Sequence, residues 1–407
     1  MKKYKTQFVD SITEIDINVW NQLCEKGSPF LRYEFLFALE KSGCTTISTG
    51  WQPHHLIITD SESALSCNVV AVMPLYVKTH SYGEYVFDWA WADAYQRYGH
   101  AYYPKLITAI PFTPATGCRI GILKNSVFTE IDVIPSIVQA IKTEIEALKA
   151  SSWHCLFPEK TVSDGLHKED ISQRKSSQFH WLNKSYDSFD HFLETFNSRK
   201  RKNVKKERKK VIEQGVIIKR KLGKEITEEE WFMFYQFYHL TYFKRSGRQG
   251  YLNEEFFKLI ASTMPDKMMM VIAYTTEEQG EEEDKGQEKD GEKKAKEKMI
   301  AASLFFIGND VLYGRYWGCS EEYEFLHFEA CYYQGIEFAI EKQLKKFDPG
   351  AQGEHKIQRG FTPVATWSNH WIARDDFRDA INDFLKKEAI GVDHYIQDCK
   401  NYLPFKK

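Results

Sequence analysis

Short apolar runs of strand type alternate along the chain with segments whose apolar residues recur at helical spacing. That alternation restricts it to mixed α/β architectures. In the first half, residues 12–24 and 32–41 read as helices, punctuated by Gly27 and Gly43. Strand-like runs follow at 55–58, 69–76 and 85–87. Residues 134–149 predict an amphipathic helix, with Ile134, Ile137, Ile141, Ile145 and Leu148 on one face. The stretch 88–117 reads as irregular and rich in tyrosine. Loops of that length in compact domains usually carry function, and its aromatic content predicts an ordered binding segment. The second half repeats the style. A very basic helix over 189–214 is stopped by Gly215, and a strand follows at 216–219. A helix over 228–244 carries a dense aromatic stripe. Strands at 268–274, 299–307 and 311–317 precede a helix over 325–342, a short strand around Phe347 and a mostly helical end over 375–403.

The chain has 407 residues, 43% hydrophobic and 15% aromatic, which is ample for true cores and excludes a largely disordered protein. Its length predicts two or three domains. A net charge of -2 argues against a general nucleic-acid coat but allows a local basic patch. No apolar run is long enough to span a membrane, and no signal-peptide core follows the basic N-terminus, so the expected location is cytoplasmic. The eight cysteines form no C-x-x-C pair and no zinc-type spacing, so no metal is expected. Residues 277–298 hold ten acids and six bases among glycine and glutamine. Such a segment cannot bury enough apolar surface to order itself and reads as a disordered insertion at a hairpin tip.

Four groups carry candidate chemistry. Nine of the twelve residues from Arg199 to Lys210 are basic. Nine charges cover every face of a helix, so phosphates are natural partners, although a solvated helix would serve as well. The loop 350–361 combines Gly350, Gly353 and Gly360 with Glu354, His355, Lys356 and Arg359, which are a base, a titratable group and two anion holders. Arg315 sits on an apolar strand beside Trp317 and needs a partner, either Glu329 or a substrate carboxylate. His327 and Glu329 are two apart and point to different helix faces. Asp88, Trp89, Trp91 and Asp93 place two tryptophans between two acids, a set able to line a cleft for an amine or simply to pack. Phosphate-loop, dinucleotide-fingerprint and serine-hydrolase elbow motifs are absent.

Several segments resemble a bacterial FemAB-like family, whose members are labelled predicted N-acyltransferases or peptidoglycan biosynthesis proteins. They are Ser28-Pro29-Phe30-Leu31, residues 50–56, Trp91-Ala92-Asp93-Ala94-Tyr95, residues 102–106, Pro111-Phe112-Thr113-Pro114 with Gly117, and residues 325–329. The loop 350–356 with Arg359-Gly360-Phe361 is the most specific match. The resemblance implies two tandem GNAT-like acyltransferase domains in a Fem-like arrangement, expected over 1–180 and 181–407. It also implies acyl transfer from acyl-CoA or aminoacyl-tRNA to an amine acceptor. The GNAT pyrophosphate loop has no recognisable counterpart.

Acyl transfer needs a base for the attacking ammonium, amides that polarise the donor carbonyl, and cations for the donor phosphates. The base is assigned to His355 or Glu354, with Glu329 in reserve. Donor phosphates fall to Lys356, Arg359, Arg199, Arg201 and Lys205. The acceptor pocket falls to Asp88, Trp89, Trp91, Asp93, Arg315, Trp317 and Gln352. No covalently bound cofactor and no DNA partner are expected. Two rival readings remain: an aminoacyl-tRNA-dependent transferase acting on a muropeptide precursor, and a non-catalytic binding protein on a degenerate acyltransferase fold.

Overall fold

Pro74 divides the apolar run 69–76 between two sheets, because proline cannot donate to a strand ladder. In the computed structural model, Val69–Met73 pairs with His55–Asp60, whereas Tyr76–Lys78 pairs with Trp51–Pro53 and Lys105–Thr108. Residues 4–25, 27–60, 69–123, 129–247, 249–277, 296–351 and 353–406 are described. The chain forms two compact units. One comprises Met1–His180, Tyr251–Met264 and Gly350–Leu403, and the other Trp181–Gly250, Pro265–Pro349 and Pro404–Lys407.

The first unit holds a four-stranded antiparallel sheet in the order Tyr4–Val9, His55–Asp60, Val69–Met73, Gly121–Ile122. Its second sheet runs in the order Ser172–Leu182, Thr362–Ile372, Ser152–Leu156, Lys105–Thr108, Tyr76–Lys78, Trp51–Pro53. Among the described strands of this sheet, only the pairing of Lys105–Thr108 with Ser152–Leu156 is parallel. The helix Glu130–Leu148 buries Val133, Ile134, Ile137, Val138, Ile141 and Ile145 against Leu56, Ile58, Met73, Leu106 and Trp153. Side chains of this size are worth about 1.5–3 kcal/mol each when fully buried. The final helix, Asp375–Lys400, packs Phe377, Ile381 and Leu385 against Trp91, Tyr95 and Tyr102.

In the second unit the strands follow the order Ile217–Leu222, Met268–Glu277, Lys296–Ile307, Val311–Cys319, Lys346–Asp348. Residues 268–273 are all buried, as a strand covered on both faces requires. The helix Glu228–Ser246 approaches Val311–Cys319 so closely that a Cβ at Gly318 would lie 2.2 Å from the Phe237 carbonyl carbon. The strands Met268–Glu277 and Lys296–Ile307 form the expected antiparallel pair. Residues 278–295, most of the charged segment expected to be disordered, lie outside the described residues.

Several elements differ from expectation. The 12–24 helix is a short 3₁₀ turn followed by Ile17–Leu23, because Asp16 caps a new start through Asn18 N and Val19 N. The 189–214 helix is two, Phe189–Glu194 and Ser198–Glu213, the second capped by Asn197. Residues 85–87 form no strand, since Tyr85 adopts a φ of 60°. The stretch 88–117 contains the helix Trp89–Arg97 and the strand Lys105–Thr108. The 325–342 helix is interrupted by a π turn at Glu329–Tyr333. Strands Ser152–Leu156, Ser172–Leu182 and Thr362–Ile372 and helices Lys160–Lys168 and Glu254–Thr263 were not anticipated. Among the described residues, no helix is long and apolar enough to cross a membrane.

Candidate functional site

The basic helix Ser198–Glu213 buries Val204 and Val211, seven residues apart, and Arg208 falls between them on the inner face. Its guanidinium grips two carboxylates. Nε and Nη2 donate to Glu329 at 3.0 and 2.9 Å, and Nη1 and Nη2 donate to Glu337 at 2.7 and 3.2 Å. Burial opposes the charge on Arg208, but the two carboxylates outweigh it and push its pKa upward. Glu329 is buried and also accepts from Gln334 Nε2 at 2.7 Å. The π turn aligns Glu329, Tyr333 and Glu337 toward the helix, and the Tyr333 hydroxyl donates to Glu207. Such turns occur often at functional sites. Arg199, Lys202, Lys205, Lys206 and Lys209 are exposed, and Arg201 is half-buried. Lys205 pairs with Asp190 at 2.9 Å.

Arg315 also finds its partner within the second unit. Asp348 accepts from Nη1 and Nη2 at 3.1 and 2.9 Å, and both side chains are buried. The expectation was Glu329 or a substrate carboxylate, but Glu329 belongs to Arg208 and Asp348 takes its place. The parallel pairing of Tyr313 with Asp348 brings the two together, and no local spacing announces it. Trp317 is half-buried with its ring edge against His327 at 5.4 Å.

The 350–361 loop lies in the first unit. Gly353 and Gly360 have φ values of 104° and 86° and bracket a helical turn, Glu354–Arg359. A Cβ at Gly353 would strike the His355 ring at 2.6 Å, so only glycine fits. Lys356 is buried and its Nζ donates to Gly350 O at 2.8 Å, while Arg359 Nη1 donates to His355 O at 2.8 Å. Both cations thus stiffen the loop that carries them. His355 is exposed, yet desolvation first, then Lys356 and Arg359, push its imidazole down to about 4. It is therefore neutral at pH 7. Glu354 is exposed and accepts from the Tyr395 hydroxyl at 2.8 Å. Gln352 lies outside the described residues.

Asp88, Trp89, Trp91 and Asp93 do not share one environment. Asp93 is exposed and Trp89 faces outward with its edge on Tyr82 at 5.0 Å. Trp91 points inward, edge-on to His370 at 4.9 Å. Asp88 is buried, accepts from the Tyr102 hydroxyl at 2.6 Å and pairs with Lys105. Burial raises its carboxyl, but Lys105 more than offsets this and brings it down to about 2. Tyr102 leads on to a buried imidazole pair. His154 Nε2 lies 3.2 Å from the Tyr102 hydroxyl, and its Nδ1 lies 2.7 Å from His370 Nδ1. Sequence reasoning missed Lys105, Tyr102, His154 and His370. The available signal was a charged or titratable side chain on each of three strands with apolar neighbours: Lys105 at the start of 105–108, His154 in the middle of 152–156 and His370 near the end of 362–372.

The candidate residues therefore fall into two sets. Asp88, Trp89, Trp91, Asp93, Glu354, His355, Lys356 and Arg359 lie in the first unit. Arg199, Arg201, Lys205, Arg315, Trp317 and Glu329 lie in the second.

The structure of FemX superposes with a TM-score of 0.52 at 11% identity, covering 92% of this chain and all of that one. That likeness speaks to the fold alone. L-PGS from Bacillus licheniformis aligns at 0.45 and 9% identity over 86% of this chain and 95% of its own. A tandem GNAT protein from the clavulanic acid biosynthesis pathway aligns at 0.44 and 7% identity over 91% and 99%. No curated protein matches by sequence. The FemAB-like family, described as peptidoglycan biosynthesis/recognition, matches residues 11–282 and 291–407, and the chain belongs to that family.

Proposed function

We propose that this protein is an N-acyltransferase of the Fem type, moving an acyl or aminoacyl group onto an amine acceptor in peptidoglycan metabolism. The family match, which runs through both compact units, supports this reading most directly. The exposed, neutral imidazole of His355 is the proposed base, with Glu354 beside it. It takes a proton from the acceptor ammonium. The amine nitrogen then attacks the donor carbonyl, an amide forms, and the thioester or ester bond to the donor breaks. The attacking nitrogen sheds its second proton, and the leaving thiolate or alkoxide takes it up. Lys356 and Arg359 add positive potential beneath the loop, and Trp89 and Asp93 offer the acceptor an aromatic face and a counter-charge. Glu329, gripped by Arg208, is the reserve base. Arg315, held by Asp348, keeps its charge paired within the second unit and is not assigned to the substrate.

The test is turnover followed by mass spectrometry of the acceptor, with acetyl-CoA, longer acyl-CoAs and aminoacyl-tRNA as donors. His355→Ala is expected to lower kcat about 100-fold or more, the usual loss of a general base. Alanine at His355, Glu354 and Glu329, each leaving turnover intact, would sink the assignment. One observation favours the aminoacyl-tRNA donor: the outward face of the basic helix carries five exposed cations, Arg199, Lys202, Lys205, Lys206 and Lys209. Absence of turnover with every donor would leave the binding-only reading.

A further inference from the structure

Lys78 and Lys105 stand directly opposite each other across adjacent antiparallel strands, and both are fully buried. Like charges in that position repel, and each ammonium has lost its water. The segment joining Lys78 to the Trp89–Arg97 helix supplies the compensation. Glu84 Oε2 and Ser81 Oγ accept from Lys105 Nζ at 2.9 and 2.8 Å, and Asp88 completes the grip. Lys78 Nζ lies 3.2 Å from His80 Nδ1, 3.3 Å from Tyr82 O and 3.9 Å from the centre of the Trp51 ring.

The fit of this segment is incomplete. Glu84 Oε1 and Asp88 Oδ1 are buried and make no hydrogen bond among the described residues. Glu84 is held inward between two left-handed residues, Gly83 at φ 80° and Tyr85 at φ 60°, and the second carries the steric cost of a side chain there. On the outer side the segment shows Tyr82, Phe87 and Trp89 to solvent. It resembles an internal stand-in that covers a cationic seat with its own carboxylates.

We propose that Lys78 and Lys105 form a concealed anion site for a phosphate or diphosphate group, occupied at rest by Glu84 and opened when residues 79–88 swing outward. Charge is compatible with this exchange: burial pulls the Lys78 ammonium down to about 7 and pushes the Glu84 carboxyl up to about 7, and a phosphate that replaces the carboxylates draws Lys78 back to its charged form. The inference does not depend on acyl transfer, since it is read by binding alone.

Isothermal titration of the full-length protein with inorganic pyrophosphate tests it. The wild type should bind weakly, Glu84→Gln about tenfold more tightly because the internal competitor has gone, and Lys78→Met at least tenfold more weakly. Circular dichroism melting of each unliganded variant establishes that it is folded. ADP and phosphatidate-containing vesicles, titrated in parallel, separate a soluble nucleotide from a lipid headgroup as the source; tighter binding of either supports the site. A folded Glu84→Gln that fails to bind pyrophosphate overturns the proposal. So does pyrophosphate binding that survives Lys78→Met unchanged but is lost in Lys202→Ala/Lys206→Ala, which would place the ion on the basic helix.

Discussion

Lys105 has no solvent contact, and its ammonium rests on Glu84, Asp88 and Ser81. Removing one partner from a buried pair leaves an uncompensated charge, which costs about 3–5 kcal/mol. Asp88→Asn should therefore destabilise the first unit by about 3 kcal/mol at pH 7, measured by denaturant unfolding. The pH dependence follows from its carboxyl, which lies at about 2 when folded and higher when unfolded. Its contribution is complete above the unfolded value and is lost as pH falls through about 2, so the gap between variant and wild type should close toward that pH. A gap that stays constant on acidification would show that the charge is not responsible. His355 gives a second expectation at this scale. With a folded value near 4, its imidazole stays neutral far below its ordinary range. Its ring-proton resonance, assigned by its disappearance in His355→Ala, should titrate near 4, and a midpoint near 6.5 would remove the influence ascribed to desolvation, Lys356 and Arg359. Residue-scale chemistry was partly legible in the sequence. A cation such as Arg315 on an apolar strand demands a partner, but Asp348 reaches it through parallel pairing across 33 positions, which no local spacing encodes.

Elements show where local and non-local information divide. The aromatic stripe over 228–244 and the apolar runs 268–274 and 299–307 are periodic in the sequence and appear as a helix and a hairpin pair. The strands Ser152–Leu156 and Thr362–Ile372 escaped notice because polar residues interrupt them: His154, Ser368, Asn369 and His370 are buried in mutual hydrogen bonds and with Ser152 and Ser163. A polar side chain that finds its partner on another strand reads locally as a loop. Caps account for the split helices, since Asp16 and Asn197 each restart a helix inside what reads as one segment. Gly318 gives an element-scale prediction. Its missing Cβ is the clearance between the Val311–Cys319 strand and the backbone of Phe237 and Tyr238 in the neighbouring helix. Gly318→Ala forces that helix away and should cost about 1–3 kcal/mol, as overpacking generally does. Thermal unfolding checks it, and Gly391→Ala, inside the helix Asp375–Lys400 with nothing within 4 Å of the added Cβ, is the control expected to raise the melting temperature slightly, since alanine is the better helix former. An equal effect at both sites would argue that backbone entropy, not the close approach, sets the requirement for glycine.

At the scale of the whole chain, acids and bases nearly cancel, yet the charge is unevenly spread. The acidic excess of 277–298 offsets part of the basic run 199–210 in the sum, which is why net charge alone says little about partners. Of the nine basic residues from Arg199 to Lys210, the structure turns Arg208 inward and leaves five exposed, a division set by the buried stripe of Val204 and Val211 and invisible to a charge count. Among the described residues, surface acids engage two of the five, since Lys205 meets Asp190 and Lys209 meets Glu213 at 3.1 Å. Such exposed pairs are worth little and exchange readily for phosphate. A polyanionic donor lying along this face should therefore contact about three to five cations. Each phosphate neutralised contributes roughly -0.7 to -0.9 to the slope of log K against log salt. Binding of aminoacyl-tRNA, followed by filter retention between 50 and 300 mM salt, should give a slope between about -2 and -4.5. Lys202→Ala with Lys206→Ala should reduce that slope by about 1.5 and weaken binding most at low salt. A slope near zero, or one the double variant leaves unaltered, would take the polyanion off this helix and return the weight to acyl-CoA, whose few phosphates need no extended basic face.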